Sequence, residues 1–143
     1  MARQAAPGRK FGFYGLNGHT QKRYYPLARK LAVYEAAFFP SLYTRHGTDN
    51  KAWTKVLKNA IAQARAVDPK KPIYIYMWPR YHKNTPHSMK FIPAKQWTYQ
   101  LTTAYKLVDG VVIWAQSKDI QVPENGMEWV HATRNFMKTH PHE

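Results

Sequence analysis

Five aromatic residues sit at the downstream ends of short apolar segments: Tyr14, Tyr43, Tyr76, Trp78 and Trp114. Basic residues follow closely, with Arg45 just after Tyr43, and Arg80, His82 and Lys83 just after Trp78, Tyr81 among them. Aromatic faces stack on the apolar faces of sugar rings, and phenol hydroxyls bond to ring substituents. Guanidinium groups recognise carboxylate or phosphate bidentately. A surface made of Tyr14, Tyr43, Arg45, Tyr76, Trp78, Arg80, Tyr81, His82 and Trp114 therefore suits an anionic carbohydrate. It suits single-stranded nucleic acid too, which also joins charge to stacking. The same rings could instead fill a core, and residue types alone do not separate these readings.

Acid–base chemistry has little to draw on. The acids are Glu35, Asp49, Asp68, Asp109, Asp119, Glu124, Glu128 and Glu143. Only Asp119 and Glu124 fall on a loop that follows an apolar segment, so paired-carboxylate glycosidase chemistry finds no support. His19, His46, His82 and His87 occupy such loops, where imidazoles can bind zinc. Their spacing is irregular and carboxylate partners are sparse, which favours solvated loop histidines. His140 and His142 could bind metal only weakly. No metal site and no cofactor is expected.

The 143 residues are enough for one domain with a real core, and 44% are hydrophobic, so the chain is not disordered by composition. There are no cysteines, which excludes disulfides and thiolate metal sites. No apolar run is long enough to span a bilayer, and the opening MARQAAPGRK is basic and polar. A cytoplasmic protein without membrane partners is the expectation. Lys and Arg number 22 against 8 acids, a net charge of +14. Such a field attracts polyanions, although basic residues on helix exteriors are also simply well solvated.

The elements that must position these groups read as strand, then helix, repeated. Phe11–Leu16 is the first strand, and Pro26 opens a helix with a Leu27, Ala28, Leu31, Tyr34 stripe. Ala37–Tyr43 is the second strand. Asp49 caps the next helix, which carries Trp53, Val56, Leu57, Ala60, Ile61 and Ala64 on one face until Asp68-Pro69 stops it. Pro72–Trp78 is the third strand, apolar on both faces as a covered parallel strand should be. Pro93 opens a helix with Trp97, Leu101, Ala104, Tyr105 and Val108. Val111–Trp114 is the fourth strand, and a last helix carries Trp129, Val130, Thr133, Phe136 and Met137. Alternation of this kind predicts an α/β fold with a parallel sheet. Residues 1–10 read as a basic tail, 11–138 as one domain, and 139–143 as a C-terminal tail.

The segments FGFYGL (11–16), YEAAFFPSLY (34–43), KPIYIYMWPRYH (71–82) and DGVVIW (109–114), in that order, resemble the later strands of hyaluronidases and of bacterial hyaluronidase-like barrel proteins. The resemblance spans about residues 11 to 137. It implies four consecutive βα units, a half (β/α) barrel of glycoside-hydrolase type. It also implies that Tyr14, Tyr43, Tyr76 and Trp114 match aromatic positions lining a substrate cleft. The family's catalytic Asp-x-Glu pair belongs to an earlier strand, and no Asp-x-Glu occurs here.

Such a barrel closes at about eight strands. Four would leave two raw edges and an uncovered lumen, with Phe39, Tyr74, Tyr76, Val112 and Trp114 meeting water. Completion by a homodimer, by a complementary half-barrel chain, or by some other repacking is then expected, the homodimer being preferred. The functional expectation is a carbohydrate cleft without hydrolysis by this chain alone. The alternative is a structural or nucleic-acid-binding protein acting through its basic surface.

Overall fold

The structure, a computed structural model, describes residues 7–121 and 126–141. A 3-10 turn at Lys22–Tyr24 leads into α1 (Tyr25–Ala32), followed by α2 (Asn50–Val67), β1 (Tyr74–Met77), α3 (Ala94–Leu107), β2 (Gly110–Ile113), a short α4 (Ser117–Ile120) and α5 (Glu128–Thr139). Glu124 and His142 lie outside the described residues. Among the described residues, no helix is long and apolar enough to cross a membrane.

β1 and β2 run parallel, with Tyr74 beside Gly110 and Tyr76 beside Val112. They are the two regular strands among the four that the sequence predicts. The other two predicted segments are extended chain held by single parallel bridges: Tyr14 to Phe39, Phe38 to Ile73, and Ser41 to Tyr76. Pro40 explains the break beside β1. The Phe38 N–H donates to Pro72 O, Tyr74 N–H to Phe38 O, Tyr76 N–H to Pro40 O and Leu42 N–H to Tyr76 O. The rung missing from this alternation is the one that the residue 40 N–H would supply, and proline has none. The ladder is therefore cut into two bridges with the chain still in register.

The helices pack in chain order, α1 on α2, α2 on α3, and α3 on α5 and β2. Asp49 caps α2 as its sequence predicts, its Oδ1 accepting from Ala52 N–H at 2.9 Å. Trp53, Leu57, Ala60 and Ala64 of α2 join Ile73, Ile75 and Met77 of the β1 segment, and Trp97, Leu101 and Ala104 of α3, in one buried cluster. Along β1 the burial alternates: Ile75 and Met77 are buried, Tyr74 and Tyr76 half-buried. Helices cover one face only, and the other carries half-open aromatic rings.

The expected packing stripe of α1 is corrected. Leu27 is 67% exposed, Leu31 is exposed as well, and Tyr34 lies beyond the helix end. The inward face is made by Tyr25, Ala28 and Ala32. Small alanines allow close approach to α2, and Arg29 fastens the contact by donating to Ala66 O at 2.9 Å. At the other terminus, His140 stacks on Phe136 with centroids 4.1 Å apart, so the chain is still packed at the start of the expected tail.

Leu57 is fully enclosed. Leu57→Ala is expected to lower stability by about 2–5 kcal/mol in urea denaturation, whereas Lys58→Ala, its exposed neighbour, should change it by under about 0.5 kcal/mol. Equal losses would contradict the packing described.

Candidate functional site

Side chains alternate along extended chain, and here that alternation puts three tiers of rings on the half-open face. In the lowest tier, Phe39 stacks on Tyr74 with centroids 5.8 Å apart. Glycines flank that pair. A Cβ on Gly12 would strike the Phe39 ring, and one on Gly110 would come within 2.7 Å of the Tyr74 ring. The rings can lie across the neighbouring backbone only because those two positions have no side chain. In the middle tier, Tyr14 meets Tyr76 edge-on at 5.7 Å. In the top tier, Tyr43 lies 5.9 Å from Trp78 and 6.3 Å from Trp114, and Trp78 lies 5.4 Å from Trp114. His82 stacks nearly parallel to Tyr43 at 6.2 Å. Tyr14 is 57% and Trp114 40% exposed, while Trp78 forms a buried wall.

Tyr14 and Tyr76 both act on the Tyr43 phenol. Burial pushes the Tyr43 hydroxyl up to about 12, helped by a hydrogen bond and proximity to Tyr14 and by Tyr76, while Arg45 opposes the shift. Tyr43 thus remains a neutral hydroxyl, able to donate and accept. Arg45 is exposed, with Nη1 3.1 Å from His82 Nδ1.

Arg80 is occupied differently from a free cation at a cleft mouth. Its Nε donates to Asp119 Oδ1 at 2.7 Å and its Nη1 to Met89 O at 2.7 Å, and the guanidinium lies 3.7 Å from the centre of the Phe91 ring. The Asp119 side chain is 0% exposed. Its Oδ2 also accepts from Gln116 N–H at 3.0 Å and from Trp78 Nε1 at 3.4 Å. Burial alone would raise this carboxyl, but the hydrogen bonds from Gln116, Arg80 and Trp78 prevail and hold it below the usual range. The ion pair locks the loop after β1 to the loop after β2 and fixes the Trp78 indole. Tyr81 is buried and faces away from the rings, its hydroxyl donating to Gln96 Oε1 at 2.6 Å, while Gln96 Nε2 donates to Gly47 O at 2.8 Å. It braces the loops that frame the tiers.

The tiers therefore stand on consecutive parallel-bridged segments, on the face opposite the helices, rising from the start of β1 at Tyr74 to the top tier at the downstream strand ends. Neither a family model nor a curated protein sequence matches this chain. Solved structures do match. A monoclinic crystal structure of bee venom hyaluronidase superposes with a TM-score of 0.64 at 16% identity, over 96% of this chain and 48% of that one. The same enzyme in complex with hyaluronic acid tetramer gives 0.64 at 17%, over 96% and 46%. The fold is hyaluronidase-like. The chain spans about half the length of the hyaluronidase structures it matches.

Within this fold, several of the described acids are placed for structure. Asp119 is fully hydrogen-bonded, and Asp49 caps α2. Asp109 accepts from Ile73 N–H at 2.8 Å. Glu35 precedes the Ala37–Tyr43 segment, at the opposite end from Tyr43. Its carboxyl is raised by burial, against a backbone hydrogen bond from Phe13 and the nearby Lys71. Among the described residues, no group of three or more His, Asp or Glu could hold a metal ion. The sequence reading missed the bracing roles of Gln96 and Asp119. Only Asp119, as an acid just beyond a strand, carried any signal.

Removing one partner of a buried ion pair strands the other charge. Asp119→Ala is expected to cost about 3–5 kcal/mol in urea denaturation, and a loss below about 1 kcal/mol would contradict the locking role. Asp119 ionises below its unfolded value of about 3.9, so its contribution is complete above that pH and disappears as pH falls through the lower folded value. For Tyr43 the sign is reversed. Its protonated phenol contributes fully below about pH 10 and that contribution is lost as pH rises towards 12. Tyr43→Phe should therefore lose less stability than the parent between pH 9 and pH 11; identical losses would contradict the environment assigned to Tyr43.

Proposed function

We propose that the chain is a (βα)4 half-barrel of glycoside-hydrolase type, closed by a second copy of itself, with its aromatic face forming a cleft for anionic carbohydrate. The observation that carries this reading is the top tier, where Tyr43, Trp78 and Trp114 converge at the strand ends with Trp114 open to solvent. Flat rings of this kind offer stacking area to a sugar, and the neighbouring phenols offer hydroxyls to its substituents. The hyaluronic acid tetramer bound by the matched bee venom enzyme makes that sugar the natural probe.

Support for closure comes from both flanks. Leu27, Leu31, Val33 and Tyr34, on and just after α1, are exposed. Tyr105, Leu107 and Met137 are exposed beside β2. There a cavity of about 470 Å³ opens between Leu101, Val111, Ile113 and Phe136. A two-fold axis would bring the first flank of each copy against the second flank of the other and bury both. The chain by itself is not expected to hydrolyse glycans, since no Asp-x-Glu occurs and Asp119, the described acid just beyond β2, is committed to Arg80, Gln116 and Trp78.

The test is titration of the protein with hyaluronic acid tetramer, followed by tryptophan fluorescence. Binding is expected, weakened about tenfold or more by Trp114→Ala, with no release of reducing ends. Release of reducing ends would contradict the non-hydrolytic part. Failure to bind sugar, together with steeply salt-dependent binding of single-stranded nucleic acid that Lys51→Gln and Lys55→Gln weaken, would replace the carbohydrate reading with a polyanion-binding one.

A further inference from the structure

Beside the top tier lies a second concavity. A cavity of about 380 Å³ is lined by Asn17, His19, Ser41, Arg45 and His46, with Tyr43, Trp53 and Val56 completing its wall. Its volume falls in the range of small-ligand sites, roughly 300–1,000 Å³. Its polar inventory is one-sided. Arg45 brings a permanent cation, and no acid lines the cavity. Asp49, the nearest acid in sequence, is engaged at the α2 cap. The Asn17 Oδ1 is consumed by Ser41 N–H, which leaves the amide NH₂ of Asn17 as its donor end. Ser41 adds an enclosed Oγ with no hydrogen-bond partner among the described residues. A buried polar atom left unpaired is costly and points to a missing partner.

A guanidinium, an amide NH₂, two imidazoles and an orphaned hydroxyl, with no carboxylate among them, describe a place for an oxyanion. Tyr43 belongs to both this cavity and the aromatic tier. A sugar ring lying against Tyr43 and Trp114 would thus have the cavity at its side. We propose that this cavity is a carboxylate subsite: it holds the carboxylate of an acidic sugar whose neighbouring ring stacks on Tyr43 and Trp114. The inference rests on the carbohydrate reading for its ligand, but its donor set stands independently. None of the relevant groups lies on the helix exteriors that carry the bulk of the positive charge, so the subsite is distinct from general attraction of polyanions. Selectivity then comes from place rather than net charge, because a neutral sugar would give the Arg45 guanidinium, which already contacts His82, no anion to pair with.

The experiment compares hyaluronic acid tetramer with the same tetramer after chemical reduction of its carboxylates to primary alcohols, by calorimetry on the intact chain. The acidic tetramer is expected to bind about tenfold tighter or more. Arg45→Gln combined with His46→Gln should remove that preference, whereas Lys51→Gln combined with Lys55→Gln should keep it. A preference that survives in the first double variant, or vanishes in the second, overturns the proposal. A second readout needs no sugar. Titrated inorganic sulfate is expected to shift the His19 and His46 ring signals in nuclear magnetic resonance spectra of the parent and not of Arg45→Gln. If those signals move while neither tetramer binds, the subsite stands and the carbohydrate reading of the aromatic face falls. If they stay still, the subsite falls, even where the acidic tetramer binds.

Discussion

A parallel sheet needs cover on both of its faces, and this chain supplies helices for one. Everything distinctive about the molecule follows from that imbalance. The helical side is finished. Trp53, Leu57, Trp97 and Ile75 meet in a closed core with almost no exposed surface. The opposite side ends in Phe39, Tyr74, Tyr76, Val112 and Trp114, none of which is fully buried. Large rings at half exposure cost solvation free energy unless something else covers them, whether a ligand, a second chain or both.

Given that open face, the protein spends its few polar contacts on holding rings still. Arg80 and Asp119 sit across two loops, and Asp119 also accepts from the Trp78 indole. Tyr81, Gln96 and Gly47 form a second brace behind the same loops. Such contacts cost mobility and gain a fixed wall, which suits recognition of a rigid ring more than it suits a flexible tail. Arg45, exposed and paired with no acid among the described residues, stands at the rim of that wall rather than within it.

Much of this arrangement was legible in the sequence because periodicity and capping are local signals. Asp49 marks the start of α2 and Asp68-Pro69 its end, and Trp53, Leu57, Ala60 and Ala64 mark its face. The expectation that Phe39, Tyr74, Tyr76 and Trp114 would share an uncovered face also put the right rings on one side. What escaped were features set by partners distant in the chain. The stripe of Leu27 and Leu31 has the period of a packed face, yet α1 turns Ala28 and Ala32 inward, since only the small residues let it approach α2. Arg80 looks like a free cation until Asp119, 39 positions away, is brought beside it. Pro40 went unread in a strand-like run, and its missing N–H is how the predicted Ala37–Tyr43 strand became two bridges.

The central claim is that two copies finish the sheet that one leaves open. Molar mass in solution, by light scattering on a size-exclusion column, tests it most directly. Moderate salt should be used so that the net charge of +14 on each chain is screened. A mass twice that of the chain, reverting to the single-chain value in Leu31→Lys with Met137→Lys while the circular dichroism of folded helices is kept, is the expected result. A well-folded monomer with its apolar flanks open to water would contradict the account.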